Sequence, residues 1–445
     1  MRHWARLSLV AAAVLELGCS WQRFDEVSEN APIVLLKKPN KLESGFGVSL
    51  ATATLDDQVL VLSTGSAPAS SGAVFDLGPG EAPGLDARDT GSCDSDECAL
   101  AAQPAGLARS RTSADDQELC FAVGTGTSSN ADGIVVRCLN EVEYGLEIPN
   151  GAKEFVLDPL LDGTPELLVP LVLASDASET PALLAGVPFD QRAWFYAPNG
   201  FDFVALPAPG DDESFATTLA VLRIGDDARI FAIGAPEEGH VWLFRSDDGE
   251  SAFPIGCLGG VSGFGRALAS GFVDDDELDE LLVSDDFNVT IFDGRSLIEL
   301  PRTESDACSL GGLHGEAIVT SFGCGSNGAT TGCDEARFGA AIAVGDLDGD
   351  GDGEVIVGAP GMTVRDTPRA GALLVFDVEG DRPWEFDEIQ FLSSAEEGDQ
   401  LGATVVAPEQ GDRAVIAAGA PGNGKTAVFY CSSLLPEDRV GARCR

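Results

Sequence analysis

Apolar residues fall in short runs along most of the chain, each closed by a turn rich in glycine, proline or aspartate. Val59-Leu60-Val61-Leu62 ends at Ser63-Thr64-Gly65, and Ile230 to Ala235 ends at Pro236. Runs of this length, rich in Val, Ile, Leu and Phe, predict β-strands rather than helices. The runs also repeat. The fullest unit starts at Phe338-Gly339 and reads FGAAIAVGDLDGDGDGEVIVGAP to Pro360, followed by GALLVFDV from Gly371 and an apolar run from Ile389 to Leu392. Four short strands with tight turns predict one antiparallel sheet. The same skeleton recurs from Phe264-Gly265 (LLVSDD, then NVTIFD), Ser214-Phe215 (IFAIGAP, then GHVWLF) and Leu401-Gly402 (VIAAGAP, then TAVFYC). It recurs again from Phe46-Gly47 (VLVLSTG, then GAVFDL) and Gly106-Leu107 (CFAVGTG, then GIVVRC), with a fainter copy from Phe155 through ELLVPLV to AWFYAP. Seven units of this kind are self-similar at the spacing of propeller blades.

These motifs resemble the FG-GAP repeat of the integrin α-subunit propeller and its bacterial relatives, from Phe46 to Cys431. The resemblance implies an all-β chain: a seven-bladed β-propeller of four-stranded antiparallel blades. A β-sandwich or a solenoid is the alternative arrangement of so many short strands. After Tyr430 no convincing strand remains, so the seventh unit lacks its fourth. Ile33-Val34-Leu35-Leu36 precedes the first unit as an orphan strand and is expected to complete the seventh blade, joining the ends of the ring. The propeller is expected to span residues 31–445, with insertions at about 78–105 and 302–337. Both insertions read either as binding loops on a rigid scaffold or as decoration.

The N-terminus is different in kind. Arg2 and Arg6 lead an apolar stretch from Leu7 to Leu15 that is too short for a permanent membrane span. Leu17-Gly18-Cys19 follows, and the order resembles a bacterial lipoprotein signal, although Glu16 stands where that family prefers an apolar residue. The resemblance implies a signal peptide over residues 1–18, lipidation at Cys19 and a polar tether over 19–30. An ordinary secretory signal is the alternative. Either reading places the protein outside the cytoplasm, in the cell envelope as an outer-membrane lipoprotein or secreted. Cysteine usage agrees with this: setting Cys19 aside leaves an even number, suited to disulfides in an oxidising compartment. The expected pairs are Cys93–Cys98, Cys120–Cys138, Cys324–Cys333, Cys431–Cys444 and Cys257–Cys308.

Charge narrows the partners. With 73 acidic and 27 basic residues the chain carries −46, which excludes a general nucleic-acid binder because phosphate attraction needs the opposite sign. Contact with a membrane is expected through the lipid anchor only. One motif packs acids closely: Asp346-Leu347-Asp348-Gly349-Asp350-Gly351-Asp352-Gly353-Glu354 sets carboxylates at alternating positions on a strand–turn–strand loop. Ca²⁺ takes about six to eight hard oxygens, which such a loop supplies. The FG-GAP resemblance implies side-chain ligation by Asp346, Asp348, Asp350 and Glu354, with the Asp352 carbonyl as a fifth ligand. Counting from Phe264, the fifth unit holds a partial copy, with Asp274, Asp276 and Glu280 in register and Phe272 where the first ligand belongs, and is expected to be a decayed or weak second metal site.

No catalytic set emerges. Gly419 to Thr426, GAPGNGKT, satisfies the phosphate-loop pattern, but a β run follows it where a phosphate loop needs a helix. No nucleotide is therefore expected. His240 and His314 are the only histidines beyond the signal, and no G-x-S-x-G motif accompanies them. The leading expectation is a calcium-stabilised, non-enzymatic binding or adhesion module for a protein or polysaccharide ligand. A propeller hydrolase or lyase using channel carboxylates and a structural scaffold of the envelope are the alternatives.

Overall fold

The computed structural model describes residues 33–37, 47–55, 58–64, 72–76, 86–89, 107–111, 117–127, 130–140, 153–157, 169–173, 182–188, 191–196, 203–208, 212–225, 228–248, 251–274, 276, 278–299, 318–323, 333–347, 351–364, 366–379, 385–393, 396–408 and 415–430. Their strands form seven four-stranded sheets, all antiparallel between neighbours. Sheet one holds Ser49–Leu55, Gln58–Thr64, Gly72–Asp76 and Asp86–Asp89; sheet two holds Leu107–Arg111, Gln117–Thr127, Asn130–Asn140 and Lys153–Leu157. Sheet three holds Val169–Leu173, Ala182–Val187, Arg192–Tyr196 and Phe203–Pro207; sheet four holds Thr218–Arg223, Arg229–Ala235, His240–Ser246 and Phe253–Gly259. Sheet five holds Leu268–Gly271, Glu280–Ser284, Asn288–Phe292 and Ile318–Gly323; sheet six holds Ala341–Gly345, Glu354–Ala359, Ala372–Glu379 and Glu385–Ser393.

Sheet seven is built from both ends of the chain. Thr404–Val406, Val415–Ala420 and Lys425–Tyr430 are completed by Ile33–Lys37, which pairs antiparallel with Lys425–Tyr430 from Ile33 opposite Phe429 to Lys37 opposite Lys425. The first strand of each sheet lies against the first strand of the next, and Thr404–Val406 returns to Ser49–Leu55. Thr404 Oγ1 donates to the Gly47 carbonyl at 3.1 Å and Thr52 Oγ1 to the Ala407 carbonyl at 3.2 Å across that junction. The result is a closed β-propeller, in which radial repetition shields the strand edges.

The core lies between sheets, and strand alternation builds it. Along Arg229–Ala235, Phe231 and Ile233 pack toward sheet three with Leu184 and Phe195, while Ile230 and Ala232 pack toward sheet five with Leu281 and Val283. Both faces of the strand are buried, so its sequence is a continuous apolar run. The same layering joins sheet five to six and six to seven.

Two halves of the repeat meet between neighbouring sheets. Phe215, Phe264, Phe338 and Leu401 are buried at the entry to sheets four, five, six and seven. At the residue after Leu401, Gly402, φ is +87°, and its N–H donates to the Gly419 carbonyl of its own sheet at 3.0 Å. Its carbonyl oxygen lies where a Cβ on Gly358 of sheet six would come within 2.1 Å of it. The glycine of one unit's GAP thus receives the backbone of the next unit's FG, which only a residue without Cβ allows. Sheet four holds Ala216 in the FG glycine's place, at φ +68°.

Three expectations need correction. Phe155 does not open the third unit. It lies in Lys153–Leu157, the fourth strand of sheet two, and sheet three begins at Val169. The 302–337 stretch is not one insertion, because Ile318–Gly323 within it is the fourth strand of sheet five. Likewise Asp86–Asp89, inside 78–105, pairs with Gly72–Asp76 as the fourth strand of sheet one. An outer strand packs on fewer neighbours and tolerates the polar sequence DARD, which carries no apolar signal.

Candidate metal centre

The inner hairpins of sheets five and six carry the acidic loops. In sheet five the loop runs from Phe272 to Asp279, and Glu280 opens the second strand; in sheet six Glu354 does the same. Both glutamates are buried, Glu280 with 0% and Glu354 with 2% of its surface exposed. Each carboxylate closes its loop in the same way. The Val273 N–H donates to Glu280 Oε2 at 3.0 Å and the Leu347 N–H to Glu354 Oε2 at 2.5 Å, each spanning seven residues. The two loops are therefore built alike, as their common register from the FG position requires.

Asp274, Asp276 and Glu280 converge, with one oxygen from each lying within 4.8 Å of the other two. Backbone bonds set the aspartates: Asp274 Oδ1 accepts the Asp276 N–H and Asp276 Oδ1 accepts the Leu278 N–H, both at 3.1 Å. Such turns aim successive short carboxylates to one side. Asp276 Oδ2 also meets Arg295 Nη2 at 3.3 Å. Glu280 Oε1 is buried and has no hydrogen-bond partner. Burial, and then the Asp274 carboxylate, push the Glu280 carboxyl up to about 9, with Asp276 and Asp279 adding to the rise against the Val273 N–H. Asp276 is raised too, by burial and then by Asp274. Three converging carboxyls, one with a buried orphan oxygen, form a donor set that fits a hard divalent cation. Oxygen-only ligation suits Ca²⁺.

Among the sequence-derived ligands of the sixth loop, Asp346, Asp352 and Glu354 are described, and Asp348 and Asp350 lie outside the described residues. Gly351, at φ +109°, turns the chain just before Asp352. Cys19 also lies outside, as do Cys93, Cys98, Cys308, Cys324, Cys431 and Cys444. Cys120 and Cys138 stand directly opposite each other on neighbouring strands of sheet two. Cys257 is buried and disulfide-bonded. Cys333 opens a short helix, Cys333–Ala336.

A cluster that sequence reasoning missed flanks the fifth loop. Arg223, from sheet four, donates its backbone N–H to Asp279 Oδ2 at 2.7 Å and its guanidinium to Asp279 Oδ1 at 3.0 Å. The Asp279 side chain is 2% exposed. The same guanidinium lies 4.6 Å from the centre of the Phe272 ring. Arg223 and Asp279 are 56 residues apart, and nothing local in the sequence announces them.

The other chemical candidates take structural roles. Thr426, the last residue of GAPGNGKT, is fully buried with its hydroxyl 2.9 Å from Ser63 Oγ. A 3₁₀ turn, Pro421–Asn423, leads into the strand Lys425–Tyr430 that contains Thr426, so no α-helix follows the motif to aim an N-terminus at a phosphate. His240 Nδ1 lies 3.3 Å from Asp212, which also accepts the Trp242 indole N–H. Ser214 Oγ donates to Glu238 at 2.6 Å and accepts the Glu237 N–H at 2.9 Å.

No curated protein sequence matches the chain. Two solved structures resemble it over 89% of its length. One is the β-propeller domain of Cps50 (Swd1) from Myceliophteria thermophila, at 14% identity, 99% coverage of that chain and a TM-score of 0.49. The other is U3-55K, at 11% identity, 98% coverage and a TM-score of 0.47. Residues 338–376, from the Phe338 entry through the acidic hairpin to the third strand of sheet six, match the FG-GAP repeat. The chain is a β-propeller whose sixth sheet matches the FG-GAP repeat.

Proposed function

We propose that the protein is a non-enzymatic, calcium-stabilised binding module of the cell envelope, exported and anchored through a lipid on Cys19. An FG-GAP β-propeller suggests a binding or scaffold role. The observation that carries the calcium reading is the buried, unpartnered Glu280 Oε1 on a carboxylate that converges with Asp274 and Asp276. Calcium's role is structural: it sits between the first and second strands of a blade and offsets carboxylate repulsion there. In the sixth loop Asp346, Asp348, Asp350 and Glu354 hold the ion with the Asp352 carbonyl. The ligand is a protein or polysaccharide, met by a rigid face of the ring. The non-enzymatic reading is supported by Ser214, whose hydroxyl donates to Glu238 rather than to a histidine.

Thermal unfolding of calcium-loaded protein with and without EGTA tests the metal reading. A site filled at a hundredfold excess over its Kd adds about 2.7 kcal/mol to folding, so chelation lowers the melting temperature. Unchanged melting in protein that contained calcium beforehand overturns the structural role. Mass spectrometry of the mature N-terminus tests the anchor, and a chain that starts beyond Cys19 without acyl groups removes it.

A further inference from the structure

Beside the fifth loop stands a cation that belongs to the chain itself. The third strand of sheet five ends at Phe292, and a helical turn, Gly294–Ile298, follows. The turn is fixed at its root. Asp293 Oδ2 accepts the Ser296 N–H at 3.1 Å, and Leu297 is fully buried. A Cβ on Gly294 would lie 2.2 Å from the Asp279 carbonyl oxygen, so the turn rests directly on the backbone that leads into Glu280. At its far end the Ile298 carbonyl accepts from Arg245 of sheet four at 3.2 Å. From this root Arg295 reaches back to Asp276 Oδ2 at 3.3 Å, with 61% of its side chain exposed. Sheet six carries an acid at the matching position. Leu281 pairs with Phe292 and Val355 with Phe376, so the residue after each buried glutamate sets the same register. Three residues past Phe376, where sheet five has Arg295, that register reaches Glu379, still within the third strand of sheet six. Where the sixth unit has Asp346 and Glu379, the fifth has Phe272 and Arg295.

We propose that Arg295 is a tethered counter-cation: it shares Asp276 with the metal, weakens calcium binding at the fifth loop, and steadies that loop while the ion is absent. The proposal rests on the calcium reading given above, and on the fifth loop alone. One oxygen from each of Asp274, Asp276 and Glu280 lies within 4.8 Å of the other two, and the buried Glu280 Oε1 has no hydrogen-bond partner. A guanidinium at Asp276 offsets part of the mutual repulsion of these carboxylates. A divalent ion among them meets the same guanidinium as a like charge. An exposed ion pair holds weakly, so Arg295 can swing into water when the ion enters. Its fixed turn keeps it within reach of Asp276, and it returns when the ion leaves. The fifth loop is thereby set to fill at a higher calcium concentration than its carboxylates alone would require.

Calcium titration of the full chain against a competing chelator, across a charge series at residue 295, tests this. Arg295→Lys is expected to bind calcium as the wild type does, Arg295→Gln about fivefold more tightly, and Arg295→Glu more tightly still. In a chain that also carries Asp274→Asn and Asp276→Asn, the same series is expected to change nothing. In EGTA the order turns round: Arg295→Glu is expected to melt below Arg295→Gln, and Arg295→Gln below the wild type. Calcium binding that depends on Asp274 and Asp276 but is indifferent to the charge at residue 295 overturns the proposal and leaves the calcium reading standing. Weaker binding by Arg295→Gln than by the wild type does the same. A series that shifts affinity equally in the doubly substituted chain also overturns it, because the effect then lies elsewhere. A wild type that binds no calcium, or whose binding is untouched by the two asparagines, overturns the calcium reading of this loop and the proposal together.

Discussion

Glu280 is a carboxyl placed where water cannot reach it and where no donor meets one of its oxygens. Such a group burdens the fold until a cation arrives. Glu280→Gln is therefore expected to melt at or above the wild-type temperature in EGTA, because an amide removes the ionisation problem. In calcium the order reverses, since the wild type gains stability and the variant does not. Differential scanning fluorimetry in the two buffers measures both, and a calcium response in Glu280→Gln equal to the wild type's would remove Glu280 from the site. Arg223 makes a separate prediction. Arg223→Met leaves the Asp279 carboxylate buried without its guanidinium, a loss of about 2 kcal/mol seen as a lower midpoint in urea. Asp274, Asp276 and Glu280 were legible from their register after Phe264, but their loop looked weaker than the sixth because Phe272 is no ligand. What favours the fifth loop is the unpartnered oxygen of Glu280 and the support of Phe272 by Arg223. Both depend on how the chain packs, which residue spacing cannot show.

At the scale of the element, FG and GAP are two parts of one joint, contributed by successive sheets. Gly358→Ala sets a Cβ 2.1 Å from the Gly402 carbonyl, backbone against backbone, and neither side can give way cheaply. A loss of about 3 kcal/mol is expected. Gly398, at φ +77°, has open space within 4 Å of where a Cβ would stand, so Gly398→Ala costs only the backbone strain of about 1 kcal/mol. Chemical denaturation of the two variants separates them, and equal losses would mean that the joint has no steric role. The motif was readable because sterics confine it to few residue types. The third unit was misplaced for the opposite reason: Ala216 replaces the FG glycine at sheet four, and sheets two and three lack an FG pair at their entries. A fourth prediction concerns sheet two. Cys120 and Cys138 face each other across Gln117–Thr127 and Asn130–Asn140, and peptide mapping without reductant is expected to recover them joined. Closing a loop of roughly this size adds about 3 kcal/mol in the chain-entropy description. Recovery of both as free thiols would dismiss the pair.

At the scale of the whole molecule, closure was legible as a deficit: one unit short of a strand at the C-terminal end and one strand without a unit at the other. The charge of −46 acts at this scale too, pressing the sheets apart through a field that salt screens. Calcium dependence of the melting temperature is accordingly expected to shrink as sodium chloride rises. Removal of Ile33–Lys37 is expected to lower the melting temperature by about 10 °C or more, because Lys425–Tyr430 becomes an open edge. A truncated chain that melts with the wild type would show the clasp to be dispensable.

Residues 33–37 leave the ribosome nearly four hundred residues before the strand they pair with, since Ile33 waits for Phe429. For the whole of synthesis this apolar segment has no native place to go. Every other described strand finds a partner within its own unit soon after it emerges. The clasp therefore makes folding a race between completing the chain and finding a wrong edge, a contest that long-range pairing always slows. A holding factor that shields the N-terminal segment until the last strand appears would meet that need. The same geometry fixes how the finished ring hangs: Ile33–Lys37 is the outermost strand of its sheet, so whatever precedes it pulls on the rim rather than on the axis.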